Sequence, residues 1–100
     1  MARIIRSPDA ENDLLEIWSH IANDKPSAAD RFLDKPEQRI QLLSRHARIG
    51  ESRSDLAPCV RAFSVGNYVI FFRPIRDGIE LLCVLHGSRD IPVVFRRKSP

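Results

Sequence analysis

The sequence predicts an α+β fold in which an antiparallel pair of helices covers one face of an antiparallel sheet, and three observations carry that expectation. Apolar residues in the first half recur at steps of three and four, the period of a helix with one core-facing stripe. Beyond residue 58 the chain turns to short runs rich in β-branched and aromatic residues. Gly66-Asn67 and Asp77-Gly78 separate those runs, and both dipeptides favour two-residue hairpin turns.

Residues 3–6 read as a short strand ended by Ser7-Pro8. Ser7 suits a helix N-cap, Pro8 the first helical position, and Asp9, Glu11 and Asp13 the positive end of the helix dipole. Leu14, Ile17, Trp18 and Ile21 form the stripe of that helix through about Asn23, with Trp18 as a core anchor. After the Lys25-Pro26-Ser27 break, Ala28, Ala29, Phe32, Leu33, Ile40 and Leu43 mark a second helix, antiparallel to the first because the connection is so short. Pro36 interrupts its stripe and predicts a kink or break near Asp34-Lys35. Residues 46–58 read as a surface loop, and Val60–Val65, Tyr68–Arg73 and Ile79–His86 as a three-stranded meander.

One hundred residues with 43% hydrophobic against 29% charged support a single domain over 1–100 and exclude global disorder. No apolar run reaches the roughly 18 residues of a membrane span, and the N-terminus lacks the apolar stretch of a signal peptide, so a cytoplasmic protein with no membrane partner is expected. Cys59 and Cys83 stand apart without metal-ligand spacing, which predicts free thiols, no metal and no cofactor. Arginine supplies 13 of the 16 positive charges, and the net charge of +3 arises entirely after residue 50. That balance favours anionic partners, since the guanidinium fork pairs well with carboxylate or phosphate.

Turn geometry assigns the sheet faces. Pairing Val65 with Tyr68 and Arg76 with Ile79 puts Arg61, Phe63, Tyr68, Phe72 and Cys83 on one face, and Ala62, Phe71, Val84 and His86 on the other. Both faces are largely apolar, yet a helix pair covers only one. Either a partner molecule shields the second face, which is the reading adopted, or Ile91, Val93, Val94 and Phe95 fold back over it.

The order of elements, together with Leu14-Leu15-Glu16-Ile17-Trp18, Ala28-Ala29-Asp30-Arg31, the Val60–Arg73 hairpin and Leu85-His86-Gly87-Ser88-Arg89-Asp90, resembles the ParE branch of the ParE/RelE toxins over nearly the whole chain. The resemblance implies a bacterial toxin neutralised by a co-expressed ParD-like antitoxin, acting by blocking DNA gyrase and meeting DNA only through the antitoxin. The sister RelE-type toxins cut messenger RNA, and a third possibility is a silent member that only binds antitoxin. Metal-free RNA cleavage needs a base, an acid and a cation for the phosphate. The register sets His86 on the face opposite Arg61. RelE-like enzymes tend to carry a second basic residue beside Phe72, where Cys83 is expected, and a tyrosine or histidine near the C-terminus, absent from Arg89 to Pro100. A non-enzymatic toxin is therefore expected. Arg61, Phe63, Tyr68, Phe72, His86 and Arg89 are the candidate partner-binding residues, while His20 and His46 read as surface residues.

Overall fold

The computed structural model describes residues 2–24 and 26–98, except for the side chains of 21, 24, 26–35, 97 and 98. Strand β1, Arg3–Arg6, passes through Ser7 into helix α1, Pro8–Asp24. The Ser7 hydroxyl accepts the Ala10 N–H at 3.0 Å, so the cap forms as its residue type dictates. Helix α2, Pro26–Arg45, also opens on a proline. Of the expected stripes, Ile21, Ala28, Ala29, Phe32 and Leu33 lie outside the described side chains. Ile17, Ile40 and Leu43 are buried against the sheet, whereas Trp18 is only half-buried and is not the anchor expected.

The break expected at Asp34-Lys35 does not occur, because α2 runs through Pro36. The proline is buried, bordering a small gap with Leu14, Ile17 and Val65, so tertiary packing outweighs the lost backbone donor.

The expected loop at 46–58 contains a 3-10 turn, Ala47–Ile49, and a two-residue strand β2, Glu51–Ser52. The meander follows as β3, Arg61–Val65, β4, Tyr68–Ile75, and β5, Gly78–His86. The sheet order is β1-β5-β4-β3-β2, mixed because β1 runs parallel to β5. Gly66 takes a φ of 59° in the β3–β4 turn, as its lack of a Cβ allows. The β4–β5 turn falls one residue earlier than expected, on Arg76-Asp77, with Ile75 opposite Gly78. Gly78 serves the strand instead: a Cβ there would collide with the Arg3 backbone of the adjoining β1.

A bulge then divides β5. Phe72 pairs with Leu81 but Phe71 with Cys83, which leaves Leu82 as the extra residue. Beyond it every side chain changes face. Val84 and His86 join Tyr68, Ile70 and Phe72 under the helices, while Cys83 and Leu85 join Phe71 on the other side. His86 therefore shares a face with Arg61, and Leu81, not Cys83, neighbours Phe72. The backbone groups freed at the bulge are taken up by α1 and its cap. Ser7 donates its hydroxyl to the Leu82 carbonyl at 2.7 Å, and the buried Asp13 carboxylate accepts the Val84 N–H at 3.0 Å.

A third helix, α3, Ile91–Lys98, lies against the second sheet face. Phe95 is buried there, edge-on to Phe71 with ring centroids 5.7 Å apart, and Leu56 and Ala57 of the β2–β3 connection pack beside it. Helices thus cover both faces rather than one. The chain's own C-terminal segment, not a second molecule, shields the face expected to stay open.

Candidate functional site

The helix pair covers the middle of its sheet face and leaves a cleft towards each end of the β3–β4 hairpin. The first, of about 440 Å³, lies between α1 and the end of β5. Asp13, Ile17 and His20, spaced along one side of α1, line it opposite Tyr68, His86, Ser88 and Arg89. Tyr68 and His86 are cross-strand neighbours with rings edge to face at 5.1 Å. The His86 Nδ1 accepts the Ser88 N–H at 3.1 Å and lies 2.6 Å from the Ser88 hydroxyl, so the proton of the neutral ring sits on Nε2.

The second cleft is a wider trough of about 720 Å³ between the end of α2 and the β3–β4 pair, lined by Arg45, His46, Ala47, Arg48, Ile49, Arg61 and Pro74. Arg61 projects from β3, where one of its Nη atoms donates to the backbone carbonyls of Arg48, at 3.0 Å, and of Gly50. Its Nε–H is buried without a hydrogen-bond partner among the described residues. That one nitrogen ties Arg61 to the 3-10 turn.

Of the sequence-chosen residues, Tyr68, His86 and Arg89 meet in the first cleft and Arg61 lies in the second. Phe63 is half-buried against the main core, and Phe72 is completely buried within it, leaving no surface for a partner. Sequence reasoning missed His20 in the first cleft and Arg45, His46 and Arg48 in the second. The spacing of Asp13, Ile17 and His20 marks one side of a helix, but nothing local shows that this side meets the end of β5.

Arg61 and His86 share a face but not a site. Arg61 pairs with Phe72 and His86 with Tyr68, so four residues of β4, roughly 13 Å, separate them along the strand. Among the described residues no cluster of metal-ligating side chains forms, both cysteines are free, and no helix is long and apolar enough to cross a membrane.

The fold has solved counterparts. It superposes with a TM-score of 0.75 on a chain from the structure titled "Chromosomal ParDE TA system from P. aeruginosa", at 21% identity over 88% of this chain and 98% of that one. In sequence the chain is 28% identical to toxin ParE3 of Caulobacter vibrioides over 99% of its own length and all of the relative's. It is also 28% identical to toxin RelE3 of the same organism, over 87% of this chain and 96% of that protein. The class these likenesses indicate is that of small α+β toxins. The family model described as "ParE toxin of type II toxin-antitoxin system, parDE" matches residues 4–91, and the chain belongs to that family.

Proposed function

We propose that this ParE-family toxin is neutralised in the bacterial cytoplasm by a ParD-like antitoxin and, when released, acts by binding DNA gyrase rather than by catalysis. The observation that carries the non-catalytic part is the separation of Arg61 from His86. A phosphate gripped at one lies far outside hydrogen-bond reach of the other, and Arg61 already serves backbone carbonyls. The bulge corrects the reason expected from sequence, namely opposite faces, and replaces it with distance.

Expression of the chain without its antitoxin tests the proposal. Growth arrest with intact transcripts, and loss of supercoiling when purified toxin is added to gyrase, are the expected results. Unchanged supercoiling at high toxin concentration would end the gyrase reading. One observation favours a second reading, a RelE-like ribonuclease: His20, His86 and Arg89 line a single cleft. That reading predicts transcript cleavage abolished by His86→Ala.

A further inference from the structure

We infer that the trough between α2 and the β3–β4 pair is the seat of an acidic, amphipathic protein segment, an assignment that rests on the antitoxin reading and locates the segment on the toxin. Among the described residues three arginines and a histidine line the trough, and no carboxylate does. Elsewhere three arginines are neutralised within the chain, Arg6 by Glu37, Arg53 by Asp55 and Arg73 by Glu80, and those without an ion pair among the described residues, Arg3, Arg39, Arg76, Arg89 and Arg96, do not line the trough. Arg45 and Arg48 have no such ion pair among the described residues, and both are exposed. Three cationic groups near one another repel, so an outside source of negative charge lowers their energy.

The trough is also apolar in a way that selects its occupant. Ile49 is 49% exposed between Arg48 and the Gly50 carbonyl that Arg61 holds, with Ala47 and Pro74 beside it. Leu42, 36% exposed, sits one turn before Arg45 and His46 on the same side of α2. Aliphatic groups among arginines match a helix that carries leucine-like residues on one side and carboxylates three or four positions away, each able to take an arginine fork in a bidentate pair. Single-stranded RNA would satisfy the charges, but its bases stack best on large aromatic surfaces, and among the described residues no Phe, Tyr or Trp lines the trough, His46 being its one aromatic ring. Arg61 is a positioning residue here, since its bonds to the turn present Arg48 and Ile49 to the occupant.

The test uses the full toxin and the antitoxin encoded beside it, with affinity measured by calorimetry from about 0.05 M to about 0.5 M salt. Arg45→Glu/Arg48→Glu is expected to weaken binding roughly 100-fold at low salt and to flatten its salt dependence. Ile49→Asp weakens binding about tenfold even at high salt, where charge attraction is screened. Arg3→Glu, the same charge reversal on exposed edge strand β1, leaves affinity within about threefold of the parent. Circular dichroism of each variant confirms folding. If the unmodified chain does not bind, the antitoxin reading fails and takes this assignment with it. If it binds and the double variant binds equally well, only this assignment is overturned. A double variant that retains antitoxin but loses a single-stranded oligoribonucleotide overturns it as well, in favour of nucleic acid.

Discussion

The two faces of the sheet are sealed by very different means. On one, Ile17 of α1 with Ile40 and Leu43 of α2 bury Ile70, Phe72, Ile79, Leu81 and Val84 under helices of 17 and 20 residues. On the other, Val60, Ala62, Phe71, Cys83 and Leu85 lie under an eight-residue helix whose one buried anchor among the described side chains is Phe95. Val93 of that helix stays 43% exposed. The first face is tied into the molecule through every element around it. The second cover is one short helix with Leu56 and Ala57 beside it, so a locally lower stability is expected there.

Paired substitutions turn that contrast into numbers. Phe72→Ala opens a cavity that the surrounding elements cannot fill, and chemical denaturation should show a loss of about 3–5 kcal/mol. Phe95→Ala should cost less, about 1.5–3 kcal/mol, because α3 undocks and the transfer term stands without the cavity term. Hydrogen exchange should place that second loss locally, with α3 amides losing protection while those of α1 and β4 keep theirs. Equal losses for the two variants, with α1 exposed in both, would mean that the covers are one cooperative unit.

Asp13→Ala probes the join between α1 and the bulge. It leaves the Val84 N–H without its carboxylate acceptor at a residue only 4% exposed, and should destabilise by about 1–3 kcal/mol. Asp13→Asn keeps an acceptor oxygen and should recover most of that loss. An alanine variant as stable as the parent would show that the bulge finds another partner for Val84.

What the sequence makes legible follows the same division. Ser7, Pro8 and the periodic Leu14–Ile17 stripe specify the first helix, and the Gly66-Asn67 turn aligns β3 with β4, because each is a local signal with a local cause. The bulge leaves no such trace. Leu81-Leu82-Cys83-Val84-Leu85 is apolar throughout because both faces of β5 are buried, so alternation cannot report which residue is extra. Helix α3 is hidden for a related reason: Ile91-Pro92-Val93-Val94-Phe95 has the β-branched character of a strand, and docking onto Phe71 decides the outcome. In the trough, the charge excess is visible in composition. Its assembly from Arg45, Arg48 and Arg61 depends on Arg61 bonding to the turn that carries Arg48, a contact across 13 residues that no spacing rule anticipates.

The weakest fastening of the second face should be visible by acid titration. Arg53 and Asp55 form a two-pronged pair at 3.0 and 3.1 Å on the connection that delivers Leu56 and Ala57 to that core. The hydrogen bonds from Arg53, aided by its charge, hold the Asp55 carboxyl below its ordinary value, despite a smaller opposing effect of desolvation. A lowered folded value means that the pair stabilises the fold at pH above about 3.9, the ordinary aspartate value, and that this contribution disappears as pH falls through the folded value. Carboxyl-detected NMR should find Asp55 titrating below about 3.9 in the parent and returning towards it in Arg53→Ala. Because both side chains are solvent-accessible, the change in stability should be small and should shrink further with added salt. An Asp55 midpoint unmoved by Arg53→Ala would show that the pair does not persist in solution, leaving Phe95 and the apolar contacts of Leu56 and Ala57 as the fastening of that face.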